Sequence, residues 1–97
     1  MTEQASVVNN TERHRFELGD GELMSFLVYR IEGDVIDMLH TEVPRELEGR
    51  GIAHQLAAAA LEFAATNELL VRPTCPFVRA YLRRNPTAAK VAGRRPD

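Results

Sequence analysis

The sequence predicts an α/β (α+β) domain: an antiparallel β-meander, then a βαβ unit, then a C-terminal helix. Three observations carry that prediction. Strand-like runs at 13–18, 22–31 and 35–43 are separated by short glycine-bearing segments, the pattern of a meander. From Ile52 the apolar residues recur at helical spacing, and a short apolar run, Leu69-Leu70-Val71, follows. Strand, helix and strand in one sheet make those two strands parallel and the crossover right-handed.

Each element has its own signals. Residues 1–11 are polar apart from Val7 and Val8, a loose start with room for a short edge strand. Arg13-His14-Arg15-Phe16-Glu17-Leu18 alternates as a strand does, and Gly19-Asp20-Gly21 is a hairpin turn. Phe26, Val28 and Tyr29 make 22–31 the second strand. Gly33-Asp34 is the next turn. Along 35–43, Ile36, Met38, His40 and Glu42 share one face; Val35, Asp37, Leu39, Thr41 and Val43 share the other. Apolar residues fall on both faces, so this strand is expected to be central and covered on both sides. Pro44 ends its pairing.

The first helix is expected from near Gly49 to about Thr66. Ile52, Leu56, Ala60 and Phe63 form its stripe, with Ala53, Ala57, Leu61 and Ala64 beside them. Asn67 is expected to cap it in the left-handed conformation. Pro76 suits the first position of a second helix. Phe77, Val78, Tyr81 and Leu82 would face inward and Arg79, Arg83 and Arg84 outward. Asn85-Pro86 stops that helix, and 87–97 reads as a loosely ordered basic tail. The chain shows no internal repeat and no linker, so 1–97 reads as one domain.

Composition narrows the function classes. The 97 residues are 44% hydrophobic and 27% charged, ordinary for a soluble globular chain. No apolar run approaches the ~20 residues a membrane helix needs. The start, M-T-E-Q-A-S, is not a secretory signal, so a cytoplasmic home is expected. One cysteine, Cys75, excludes an internal disulfide framework. The formal charge is −2, but it is unevenly spread. Residues 1–48 hold four arginines against eleven acids; 49–97 hold eight basic groups against three acids. Arginine suits bidentate phosphate contacts, and a GC-rich coding sequence gives the same bias.

The stretch from Val35 to Ala65 organises the chain: a strand, a Gly-x-Gly turn and an alanine-rich helix. The free N–H groups of a helix's first turn, with the helix dipole, favour phosphate. Glycine lets the backbone turn tightly and approach a ligand. Gly49, Arg50, Gly51, Ile52 and Ala53 are therefore the candidate phosphate cradle.

Two quoted patterns then carry a resemblance. H-T-E-V-P-x-E-L-x-G-R-G-I-A, followed by P-x-C-x-F-V-x-x-Y, resembles the GCN5-related N-acetyltransferases (GNAT), in particular their minimal small-domain subfamily. It covers roughly residues 12–86. Glu48 departs from the Gln or Arg usual at the start of the family's cofactor turn. The resemblance implies acetyl-CoA as cofactor, with its pyrophosphate on the turn from Arg50 to Ala53 and its pantetheine arm along Glu42 and Val43, where the third strand splays from the fourth. His54 would lie near the phosphates, and Arg83 would meet the 3′-phosphate of CoA. Larger members carry helices between their first strands that build the acceptor pocket. This chain has only turns there, so an open acceptor site is expected.

Acetyl transfer to an amine needs a base for the amine and an acid for the departing thiolate. Cys75 stands at the expected N-terminus of the second helix, where the dipole favours thiolate, with Arg72 and Arg79 nearby. The resemblance marks this cysteine as the family's candidate active-site residue, as nucleophile or acid. His40 lies on the strand that would flank the cofactor, and imidazole titrates near neutrality. Tyr81 is a third candidate acid, though its spacing with Phe77 also suits the core. His14 and His54 read as surface residues, with a place near the phosphates as the alternative for His54.

His40-Thr41-Glu42 with Pro73-Thr74-Cys75 has the outline of a zinc deaminase motif. Val78 stands where a second cysteine is required, so no metal site is expected. The expected function is acetyl-CoA-dependent N-acetyl transfer to an amine, on a small molecule or a protein lysine. The alternative is a non-catalytic acyl-CoA-binding module acting through partners. A nucleic-acid-binding domain fits less well, since no aromatic residues interleave the arginines. The chain is expected to act as a monomer with no membrane partner.

Overall fold

Short alternating segments pair in sequence to build the sheet. The computed structural model describes residues 6–19 and 21–86. Its elements are β1 (Val8–Asn10), β2 (Arg15–Leu18), β3 (Ser25–Glu32), β4 (Val35–Glu42), α1 (Ile52–Thr66), β5 (Leu70–Pro73) and α2 (Pro76–Arg84). The strand order is β1-β2-β3-β4-β5. The first four strands are antiparallel, and β5 runs parallel to β4 after the α1 crossover. The edge strand β1 makes the meander four strands, not three. Of the loose ends expected at 1–11 and 87–97, residues 1–5 and 87–97 lie outside the described residues, as does Asp20 of the first turn, while 8–10 form β1.

Several boundaries move for local reasons. His14 takes a left-handed φ of 56°, so β2 starts at Arg15. Gly21–Leu23 winds into a 3-10 turn, which delays β3 to Ser25. The Gly33-Asp34 turn stands as expected, with Glu32 opposite Val35. A second 3-10 turn, Arg45–Leu47, follows Pro44 and holds α1 back to Ile52. At the far end of α1, Asn67 has φ −100° and is not left-handed. Glu68 takes that role, with φ 56°.

The core lies between one face of the sheet and the two helices. Phe16, Leu18, Leu27, Tyr29, Ile36, Met38 and Val71 from the strands meet Leu56, Ala60, Leu61 and Ala64 of α1 and Val78 of α2. The alanines let α1 sit close to the sheet. Phe16, Tyr29 and Phe63 add an aromatic cluster, with ring centroids 5.2–6.3 Å apart. β4 is central, as its composition suggested, but its second face is not covered by the described helices. That face carries a polar cluster in which Asp37 is buried. Thr74 donates a hydrogen bond to Asp37, and Arg30 and Arg72 reach it at 4.0 and 3.8 Å. No helix among the described residues is long and apolar enough to cross a membrane.

One irregularity in β4 repositions its C-terminal half. Tyr29 pairs with Met38, but Val28 pairs with His40, leaving Leu39 as an extra residue. A one-residue bulge of this kind reverses the side-chain alternation beyond it. Thr41 therefore stands opposite buried Leu27, on the core face with Met38. His40 and Glu42 move to the outer face, opposite Val28 and Phe26. The expectation that His40 and Glu42 share a face with Met38 is thus corrected, and the bulge is the reason.

Candidate functional site

The site begins where β5 leaves β4. Pairing stops at Met38 and Pro73. Proline has no N–H to continue a ladder, and Pro76 turns the chain into α2. The Cys75 N–H makes a last bond to the Met38 carbonyl at 2.8 Å. Beyond it the chain runs on from His40 through the end of β4 to Val43 without β5 beside it. The gap opens a groove of about 390 Å³ lined by His40, Thr41, Glu42, Val43, Glu48, Ala53 and Phe77. Because the gap lies at a strand edge, residues from both faces of β4 reach it.

A second, more apolar groove of about 360 Å³ continues from the first. It shares Val43, Glu48, Ala53 and Phe77, and adds Leu47, Gly49, Gly51, Ile52 and His54. Its floor is the start of α1. Gly51 is the N-cap, with φ 78° and ψ 14°, and no side chain caps the helix. Gln55 N–H is bonded to the Gly51 carbonyl at 3.1 Å, so the N–H groups of Ile52, Ala53 and His54 precede the helix's own hydrogen bonding. Gly49 shares the left-handed conformation, with φ 83°. Two such residues around Arg50 aim the uncapped helix end at the groove, a donor set suited to a pyrophosphate.

The sequence-predicted residues divide by place. Glu42, Val43, Gly49, Gly51, Ile52, Ala53, His54 and His40 all line this continuous groove. Arg50 is exposed in the turn, outside the lining. Arg83 is exposed six residues past Phe77 on α2, about 9 Å along the axis at 1.5 Å per residue.

His40 and Glu42 lie at the outer rim, their side chains 58% and 59% exposed, with His40 Nε2 and Glu42 Oε2 3.0 Å apart. Cys75 is the N-cap of α2 and is only 3% exposed. Its Sγ lies 3.4 Å from Thr41 Oγ1. The two arginines expected beside it are occupied elsewhere. Arg79 donates to the Pro73 and Thr74 carbonyls at 3.2 and 2.8 Å, and Arg72 faces Asp37. His54 packs its ring against Phe77 and Tyr81, with centroids 5.4 and 5.6 Å away, and so ties the start of α1 to α2. Phe77 and Tyr81 are half-buried, while Val78 alone on α2 is fully buried.

Sequence reasoning did not place Thr41, Leu47 and Phe77 in the site. Phe77 had a usable signal. With Pro76 at the first helical position, Phe77 lies in the first turn of α2, at the end where β4 and β5 part. Thr41 had none, because the bulge that turns it is invisible to period-two counting.

Three comparisons with known proteins bear on this arrangement. A family model described as GCN5-related N-acetyl-transferase matches residues 15–91. The chain is 43% identical to Protein NATD1 of Homo sapiens over 61 residues, 62% of this chain and 54% of that protein. Protein NATD1 of Danio rerio is 32% identical over 83 residues, 82% of this chain and 76% of that protein. The chain thus spans little more than half the length of the human relative and three quarters of the zebrafish one. Among solved structures it resembles a GCN5-like protein of Staphylococcus aureus determined by NMR. The TM-score is 0.73 and the identity 26%, over 93% of this chain and 89% of that one.

Proposed function

The chain belongs to the GCN5-related N-acetyltransferase family, and from that premise we propose that it binds acetyl-CoA in the continuous groove and transfers the acetyl group to an amine. The observation that carries the proposal is the joining of two unlike surfaces in one groove. At one end is an uncapped helix N-terminus framed by left-handed Gly49 and Gly51. At the other is a splayed strand edge bearing the His40 imidazole and the Glu42 carboxylate, with Glu48 of the following turn on the same groove.

The residues present fit the cofactor. The N–H groups of Ile52, Ala53 and His54 would hold the pyrophosphate, with Arg50 and Gly49 beside them. Glu42 and Val43 would flank the pantetheine arm along the free edge of β4. Arg83 is proposed for the 3′-phosphate; Arg83→Ala should weaken CoA more than dephospho-CoA, and equal losses refute that assignment. When bound, acetyl-CoA supplies the activated thioester. His40, oriented by Glu42, takes the proton from the incoming amine. Cys75 is the proposed source of the proton that the departing sulfur requires. Residues 1–97 are proposed to act as one domain, as a monomer in the cytoplasm, where a free thiol stays reduced.

A second reading keeps the cofactor and drops the chemistry. The groove is open, and among the described residues no α-helix, only the short 3-10 turn Gly21–Leu23, separates the first strands to wall an acceptor pocket. An acyl-CoA-binding module acting through partners fits that openness. Calorimetry with acetyl-CoA, paired with thiol release with and without primary amines, separates the two. Binding with amine-dependent release supports transfer; binding without release supports the module. No binding overturns both.

A further inference from the structure

Thr41 stands between the groove and the Cys75 thiol. Thr41 lines the groove, whereas Cys75 is buried and absent from its walls. The two side chains meet at 3.4 Å, and either atom can donate. Both are fixed by backbone features. The Leu39 bulge turns Thr41 to the core face, and the Cys75 N–H bond to the Met38 carbonyl holds Cys75 alongside β4.

A hydroxyl has one proton and two acceptor lone pairs. When the thiol donates to Thr41 Oγ1, the Thr41 proton is left to point into the groove. When Thr41 donates to Sγ, only an oxygen lone pair faces the groove. The thiol therefore decides which group the groove presents.

We propose that Thr41 is the residue that meets the departing sulfur, and that Cys75 is a positioning residue that supplies it with a proton from behind. The proposal rests on the acetyl-transfer reading above. As the amine nitrogen bonds to the acetyl carbon, the thioester C–S bond breaks and its electron pair stays on sulfur. The Thr41 proton passes to that sulfur, and Thr41 Oγ1 takes the thiol proton of Cys75. The proton removed from the amine rests on His40 and leaves to solvent. Water entering the emptied groove returns a proton to Cys75 through Thr41.

The test compares Thr41→Val, Thr41→Ser, Cys75→Ser and Cys75→Ala with the wild type. Three quantities are read: CoA affinity by calorimetry, intact mass after exposure to acetyl-CoA, and kcat with KM for a lysine-containing peptide. All variants should bind CoA within about threefold of wild type, since the hydroxyl serves the chemistry and not the cradle. Thr41→Val and Cys75→Ala should lower kcat on the order of tenfold or more with KM unchanged. Thr41→Ser should restore it, because it keeps an O–H donor in place, whereas Cys75→Ser should stay low, because an alcohol is a far weaker acid than a thiol and does not give up its proton to Thr41. No variant should carry a stable acetyl adduct.

An acetyl adduct on Cys75 of the wild type would mean that the cysteine is itself the nucleophile and would overturn the proposal, as would full activity in Cys75→Ser. Full activity in Thr41→Val overturns it too. If wild type fails to bind acetyl-CoA, or binds it and releases no thiol with the peptide, the parent reading falls and this one with it.

Discussion

Replacing Gly51 by alanine isolates the backbone geometry on which the candidate cradle depends. Gly51 has φ 78°, and a Cβ added there meets nothing within 4 Å. No steric repacking is therefore involved; the cost is that of holding an L-residue in the left-handed region, about 1–2 kcal/mol. Against this, alanine restricts the unfolded chain and returns about 0.4–1 kcal/mol. The net loss should be about 1 kcal/mol. Gly51→Asn should lose less, because asparagine tolerates this conformation.

Gly19 supplies the contrast. It has φ 112°, and its added Cβ would lie 2.7 Å from the Leu23 carbonyl oxygen. Gly19→Ala should therefore cost more, about 3 kcal/mol. Urea unfolding followed by circular dichroism measures all three. With a slope of about 1 kcal/mol/M for so small a chain, Gly51→Ala should move the midpoint by roughly 1 M. A loss at Gly51 as large as that at Gly19 would show that the site is sterically closed. No loss at all would show that the turn is not left-handed. Either result would undo the argument that the turn aims α1 at a ligand.

Other perturbations probe the core and the sheet. Leu56 is fully buried under the strands, so Leu56→Ala should cost about 2–5 kcal/mol, read as a lowered unfolding midpoint. Ser25 Oγ is buried with no hydrogen-bond partner among the described residues. Removing an unsatisfied buried hydroxyl is neutral or stabilising, so Ser25→Ala should hold or raise the midpoint, by up to about 1 kcal/mol; a clear loss would reveal a missing partner.

Glu17 accepts hydrogen bonds from Arg15 at 2.6 Å and Asn10 at 3.1 Å. The Arg15 bond, most of all, holds its carboxyl below the usual range. A depressed carboxyl stabilises the fold above its unfolded pKa, and that stability is lost as pH falls through the folded value. Glu17→Gln should therefore flatten the acid limb of stability below about pH 4.5; an unchanged limb would remove Glu17 from that balance. Tyr29 runs the other way. Burial raises its phenol pKa against the opposing bond to Asn9. Its contribution is complete below the unfolded value near pH 10 and fades as pH rises above that. The alkaline limb should soften in Tyr29→Phe, measured by the same unfolding experiment.

The legible parts of the fold were those written in periods and punctuation. Apolar spacing from Ile52 to Ala64 placed α1 and its buried face, and Pro76 placed the start of α2. The Gly33-Asp34 turn set the register of β3 against β4. The Gly49-Arg50-Gly51 turn of the candidate cradle was legible for the same reason, since its glycines take the left-handed conformation that a tight entry into a helix requires. The illegible parts depend on contacts between segments. Nothing near Leu39 announces a bulge; it is a property of the pairing of β3 with β4. Period-two counting therefore put His40 on the same face as Met38 and Thr41 on the other. Cys75 was readable as a helix cap, but its burial behind Thr41 depends on β4, more than thirty residues earlier in the chain. Phe77 was read as core because its spacing is that of a core residue; only the parting of β4 and β5 leaves it half in the groove.

The bulge makes the identity of the groove's chemistry a matter of parity. Upstream of Leu39 even-numbered residues of β4 face the core, and downstream odd-numbered residues do. A one-residue deletion there would exchange the imidazole and the hydroxyl between the wet and dry sides without altering either. Sequences aligned by composition alone could match every residue of this strand and still present the opposite set to a ligand. In this strand, residue count matters as much as residue type.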